Sequence, residues 1–245
     1  STPKPSSAAS DVYKRQPTNL KIDSNINLIK VETVDEMFKA TQENLPADVA
    51  IFSAAVADFI DMFSWNGISE ASIQQGRSGF GKMRHGDSRL SKKFSILEDF
   101  TPGFCPKFNS DGEVASSSLA LIDKGELKNT LVSSRSAKEY GLNSNFAESG
   151  EYLRSPKMLT GKLNQENVIK TLDKGLFLSN IHYLNWSDNP GGRITGLTRY
   201  ACFWVEGGEI IAPIETMRFD DSFYRFFGDQ LIEVEDSLTI NPQVG

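Results

Sequence analysis

The residues best able to ligate a transition metal through nitrogen or sulfur are two histidines, His85 and His182, and two cysteines, Cys105 and Cys202. A zinc site needs three or four such groups converging on one point. No pair of the four stands at ligand spacing, so the sequence predicts no metal residues. His182 is more suggestive in its surroundings, because Tyr183 follows directly and Trp186 and Asp188 come soon after. This group can line a peptide cleft, with aromatic rings supplying contact area and Asp188 orienting the imidazole. The same four residues also suit a strand end with a satisfied histidine. Gly76-Arg77-Ser78-Gly79-Phe80-Gly81-Lys82 follows the G-x-x-x-x-G-K part of a phosphate-binding loop. Met83, however, stands where a hydroxyl should hold Mg²⁺, and the preceding stretch is too polar for a buried strand. A flexible surface loop is therefore expected there. Asp220-Asp221 is a carboxylate pair, which the capping of a short helix explains without catalysis. No serine, threonine and histidine assemble into a nucleophilic constellation, and no catalytic residue is predicted.

Elements must hold these side chains in place, and the composition provides for a core. Hydrophobic residues at 39% and charged residues at 24% fall in the ordinary globular range. The 32 acidic against 26 basic residues leave a net charge of -6, which argues against a nucleic-acid partner or an anionic membrane surface. No apolar run approaches the roughly 18 residues of a membrane span. No charged-then-apolar leader opens the chain. Two cysteines make no disulfide framework, and buried thiols in a reducing compartment are expected. A cytoplasmic location follows as an expectation.

Three segments differ in character. Residues 1–16 open with Ser-Thr-Pro-Lys-Pro-Ser-Ser-Ala-Ala-Ser, which offers no large apolar side chain, and they read as a disordered tail. Residues 17–59 read as a β-α-β unit. Ile26 to Val31 alternates apolar and polar, Thr33 and Glu36 have capping-box spacing, and Val34, Met37, Phe38, Thr41 and Leu45 form a helical face. Asp48 to Val56 is a mostly apolar run that suits a buried parallel strand. Residues 63–245 are β-rich. Leu119–Ile122 and Leu127–Val132 flank Asp123-Lys124-Gly125-Glu126, and Ala201–Val205 and Ile210–Ile214 flank Glu206-Gly207-Gly208-Glu209. Both patterns predict hairpins. Asn164 and Gly175 bracket a short helix, Leu176–Leu184 predicts a strand, and Asn189-Pro190-Gly191-Gly192 predicts a turn. Asp220 or Asp221 is expected to cap a last helix through Phe227. The fold class is α+β: a small β-α-β unit, then a larger, mainly antiparallel region with short helices.

Asp11-Val12-Tyr13-Lys14-Arg15-Gln16 resembles a translated transposon-derived library adapter, which implies that its two sides need not come from one gene. Pro17-Thr18-Asn19-Leu20, Lys30-Val31-Glu32-Thr33 with Glu36-Met37, and Ala54-Ala55-Val56-Ala57-Asp58 resemble the C-terminal half of the phosphopantothenate–cysteine ligase flavoprotein. That resemblance implies a fragment of a CTP-dependent ligase of coenzyme A biosynthesis. It would place Ala54, Ala55 and Asp58 at the cytidine nucleotide. The family's upstream Asn-bearing loop and downstream basic segment are absent here.

Phe108-Asn109-Ser110-Asp111-Gly112, Leu121-Ile122 with Gly125 and Leu127, and Ser136-Ala137-Lys138 with Gly141-Leu142 point elsewhere. With them go Lys174-Gly175-Leu176-Phe177, Gly192-Arg193-Ile194-Thr195-Gly196, and Phe203-Trp204-Val205-Glu206-Gly207-Gly208-Glu209-Ile210 with Pro213. Together these resemble the C-terminal region of the TldD/PmbA metallopeptidase family. The resemblance implies a peptide substrate, proteolysis or peptide maturation, and a homo- or hetero-dimer with a TldD/PmbA-type chain. Catalytic members of that family hold zinc with a His-Glu-x-x-x-His helix and a late cysteine. Neither is found here, so no cofactor is expected in this chain and a catalytically silent region is anticipated.

Overall fold

The computed structural model describes residues 48–51 and 53–236. The tail expected over 1–16, and the first strand and helix of the β-α-β unit, lie outside the described residues. Strand β1 (Asp48–Ile51) leads into helix α1 (Ser53–Phe63). The strand expected from Asp48 to Val56 therefore ends early. An unbroken apolar run fits a buried strand and a buried helix alike. Here alanine's low cost in a helix decides the matter, together with the recurrence of apolar side chains at Phe59, Met62 and Phe63. All three are buried.

Two short helices follow, α2 (Glu70–Gln74) and α3 (Gly81–His85). Ser69 caps α2 by accepting the Ser72 N–H at 3.1 Å. Where a flexible surface loop is expected from Gly76 to Lys82, Gly76 and Arg77 are exposed, Ser78 to Phe80 are packed, and Gly81 and Lys82 open α3. Ser78 and Phe80 are buried, and a Cβ at Gly79 would stand 2.4 Å from the Trp186 ring. Only glycine lets the indole sit that close. Lys82 donates to the Gly191 carbonyl at 2.9 Å.

Strands β2 (Ile96–Asp99), β3 (Ser118–Asp123) and β4 (Glu126–Leu127) come next, then helix α4 (Ser134–Tyr140) and strand β5 (Pro156–Met158). The four strands form an antiparallel sheet in the order β4-β3-β2-β5. Lys124 and Gly125, at φ 47° and 79°, make the two-residue turn of the expected β3–β4 hairpin.

Helix α5 (Val168–Leu172) ends at Asp173, whose φ is 54°, and not at Gly175. Gly175 instead opens strand β6 (Gly175–Asp188), which pairs with β7 (Arg193–Glu206) in one long antiparallel ribbon. Gly207 and Gly208, both at positive φ, turn β7 into β8 (Glu209–Pro213) as the sequence predicts. Strand β9 (Arg218–Ser222) also pairs with β7, and helix α6 (Phe223–Phe226) follows it. Asp220 and Asp221 thus lie in a strand rather than at a helix cap. Asp220 pairs with Arg193 at 2.5 Å and Asp221 with Arg225 at 2.9 Å.

Strand β1 closes the other side of this sheet, running parallel to β6 from Asp48 opposite Gly175 to Ile51 opposite Leu178. A compact unit accordingly opens at Asp48. Residues 48–59, grouped by sequence with the unit at 17–59, are built into the larger body. The reason is burial. Phe59 and Phe63 pack with Phe80, Phe94, Phe223 and Phe227 in one core, with edge-on geometry such as the 5.0 Å between Phe63 and Phe80. Edge-to-face rings add to area burial. Antiparallel sheets with short helices give the α+β class. No helix among the described residues is long and apolar enough to cross a membrane.

Candidate functional site

The β6–β7 ribbon is irregular. Its register slips between Leu178 and Asn180, between His182 and Asn185, and between Trp186 and Asp188. Tyr183 and Tyr200 fall within the first two irregular stretches, at φ 52° and 61°. Left-handed backbone at a bulky residue costs about 1–3 kcal/mol, and such strain gathers at functional sites. Burial does not offset that cost, because the two rings are 67% and 71% exposed. Bulges bend a strand and re-aim its side chains. Here they set up a continuous row.

Tyr183 stacks beside His182, with ring centroids 3.9 Å apart. His182 Nδ1 lies 3.0 Å from Arg199 Nη1, and the Arg199 guanidinium sits over the Tyr200 ring at 4.4 Å. His182 is opposite Leu197 and Arg199 opposite Asn180, so the bonded pair is diagonal on one face. Ile181 and Thr198, between them in the ladder, are buried. A guanidinium only donates, so Nδ1 accepts and the ring hydrogen sits on Nε2.

Asp58 reaches this ribbon from α1. Burial raises its pKa above the ordinary carboxylate value, the Ile181 peptide N–H works against that rise, Asp61 adds to it, and His182 opposes it. Asp58 Oδ2 is buried with no hydrogen-bond partner among the described residues. Glu151, a buried carboxylate elsewhere in the chain, is saturated instead. Glu151 accepts from Ser69 Oγ at 2.7 Å, from the Ala71 and Ser133 N–H groups at 2.9 Å each, and from Ser133 Oγ at 3.0 Å. Burial pulls its pKa up, but these donors outweigh burial and hold it below the ordinary range. Glu151 therefore staples α2 to the start of α4.

The fold redistributes the residues singled out by sequence. Ala54 and Ala55 occupy the first turn of α1, with Asp58 a turn further on. His182 and Tyr183 are adjacent in the row, but their two expected companions are elsewhere. Trp186 is 9% exposed and packs edge-on against Phe223 at 5.5 Å, so it belongs to the core. Asp188 accepts the Gly191 N–H at 3.1 Å and closes the β6–β7 turn instead of orienting an imidazole. Arg199 and Tyr200 were not visible as candidates. Their only trace in the sequence is that Arg199 is the one charged residue between Arg193 and Glu206.

Zinc does not fit the residues present. His85 is exposed at the end of α3, and His182 Nδ1 is engaged by a cation. Cys105 and Cys202 are free thiols, the second buried with its sulfur 3.2 Å from the Arg199 carbonyl. Among the described residues no three His, Cys, Asp or Glu side chains converge to hold a metal ion.

Comparison with known proteins follows the same outline. The model of the PmbA/TldA metallopeptidase C-terminal domain matches residues 46–245. That of the DNA/pantothenate metabolism flavoprotein C-terminal domain matches residues 12–64, overlapping the first across β1 and α1. No curated protein matches the chain. A candidate modulator of a DNA gyrase from Thermotoga maritima is similar in structure, with a TM-score of 0.64 and 18% identity over 77% of this chain and 44% of that one. A second such candidate, from Bacteroides thetaiotaomicron, gives 0.62 and 14% over 82% and 46%. TldE from Thermococcus kodakarensis gives 0.58 and 20% over 78% and 45%. At these identities the likeness speaks to the fold, and the chain spans less than half of each of these structures.

Proposed function

Because the chain belongs to the PmbA/TldA metallopeptidase family through its C-terminal domain, we propose that it supplies a peptide-contacting surface for proteolysis or peptide maturation and is catalytically silent by itself. The observation that carries this reading is the row Tyr183–His182–Arg199–Tyr200, half-buried at its centre and exposed at both tyrosines, whose left-handed backbone has a conformational cost that packing does not require. Exposed tyrosines give large contact area at a low conformational-entropy cost, because each ring has only two χ angles to fix on binding. The metal chemistry of such a system belongs, in this reading, to residues other than those described. A second TldD/PmbA-type chain, identical or not, is the proposed partner, working in the cytoplasm without nucleic acid or membrane.

The match over residues 12–64 supports a second reading, a remnant of a CTP-dependent phosphopantothenate–cysteine ligase using Ala54, Ala55 and Asp58. The position of Asp58 against Ile181 and His182 favours a role in the ribbon instead. The test is to mix purified chain, stoichiometric zinc and unstructured peptides. We expect peptide binding without turnover. Chelator-sensitive hydrolysis that disappears in His182→Ala would overturn catalytic silence and make His182 a ligand.

A further inference from the structure

Arg199, like Arg77, Arg89 and Arg218, stands outside the ion pairs of the described residues, and what sets it apart is the pair of groups that hold it. Arg84, Arg154, Arg193 and Arg225 each stand within 4.0 Å of a carboxylate. Arg199 has no carboxylate partner among the described residues, in a chain whose acidic groups outnumber its basic ones. Its guanidinium is nonetheless fixed in place. One edge is bonded to His182 Nδ1 and one face lies on the Tyr200 ring. A guanidinium carries five N–H donors, so most of the fork is left for a ligand.

We propose that the row Tyr183–His182–Arg199–Tyr200 is a carboxylate-binding site, which holds a peptide through its C-terminal carboxylate or through an acidic side chain. This inference rests on the peptide reading above and names what the surface recognises. Arg199 supplies the planar fork that fits a carboxylate bidentately. The hydrogen on His182 Nε2, required because Nδ1 accepts, is a further donor on the same imidazole. Stacking on Tyr200 and the bond donated to His182 Nδ1 orient the cation beforehand, so little freedom is lost when the ligand arrives. The tyrosines flank the charge at both ends of the row. Asp58 bears on the Ile181 peptide N–H, so it does not compete for the guanidinium. The left-handed backbone at Tyr183 and Tyr200 thereby finds a use, since it turns both rings out beside the cation.

Three peptides of one neutral, unstructured sequence test the proposal against the full chain: a free acid, a C-terminal amide, and an amide with one internal glutamate. Affinity is read by fluorescence anisotropy. At least one carboxylate-bearing peptide should bind about 10-fold to 100-fold more tightly than the neutral amide. Arg199→Gln should erase that difference. A gain for the free acid alone assigns the site to chain termini, and a gain for the glutamate peptide alone assigns it to acidic side chains. Equal binding of all three, unchanged by Arg199→Gln, would overturn the carboxylate site and leave the peptide reading standing. If no peptide binds, the peptide reading falls. The site is then decided by titrating N-acetylglycine and following the Arg199 Nε–H resonance, where no shift would sink it. Should the glutamine variant lose stability, Arg199→Lys keeps the charge and must still weaken carboxylate binding, because an ammonium lacks the planar fork. Undiminished binding in that variant would overturn the proposal.

Discussion

Phe59 and Phe63 on α1 are 0% and 1% exposed, whereas Tyr183 and Tyr200 on the neighbouring ribbon are 67% and 71% exposed. Both regions are rich in aromatic side chains, and they meet where α1 runs beside β6. In the core the rings pack largely edge to face on backbone that nowhere needs a positive φ, so local conformation and burial act together. On the ribbon the backbone is forced to positive φ at two tyrosines, and burial returns nothing. The contrast separates residues that stabilise the fold from residues that the fold holds in place.

The largest effect should come from the core. Phe63 touches Phe80, Phe94, Phe223 and Phe227. Phe63→Ala should lower unfolding free energy by about 3–5 kcal/mol, combining lost transfer energy with a cavity. Equilibrium denaturation measures it, and a loss no larger than for an exposed residue would mean that α1 does not belong to this core.

Tyr200→Gly should behave in the opposite way. Glycine adopts the left-handed conformation freely, so relief of strain offsets the added chain entropy, and stability should hold or rise within about 1 kcal/mol. Peptide affinity should fall, since the face beneath Arg199 is removed. A large loss of stability in this variant would turn Tyr200 into a structural residue and dissolve the contrast.

The smallest effect concerns Asp58, where the two regions touch. Burial first, then Asp61, raise its carboxyl pKa above the ordinary 3.8, against the pull of the Ile181 N–H and His182. The folded chain therefore keeps a proton that the unfolded chain has already released. The contribution of Asp58 to stability is nil at low pH, turns unfavourable as pH rises above 3.8 through the raised folded value, and levels off beyond it. Asp58→Asn should remove that decline and modestly stabilise the chain at neutral pH. Denaturation midpoints across the acid range provide the measurement. Wild-type and variant profiles that run parallel across that range would show that Asp58 is not desolvated against the ribbon.

Local chemistry determined a good deal of this molecule. Lys124-Gly125 and Gly207-Gly208 announce two-residue hairpin turns and Asn189–Gly192 a four-residue one, because each needs a positive φ that glycine supplies. The alternation of strands and turns was enough to place both hairpins and the α+β class. The run from Asp48 to Val56 was ambiguous for a reason intrinsic to sequence, since periodicity cannot separate two kinds of buried element. Alanine's low helical cost favours the helix there, and the burial of Phe59, Met62 and Phe63 against the core fixes it. The Gly76–Lys82 segment looks mobile until Trp186, more than a hundred positions away, needs the space that Gly79 leaves empty. The candidate site depended most on tertiary structure. His182 and Tyr183 stand out by residue type, but the partner of His182 is set by a diagonal register between bulged strands. A slip of one residue turns every side chain to the other face. Sequence therefore determined which residues were available for chemistry, and the pairing of β6 with β7 decided that Arg199, not Asp188, meets the imidazole.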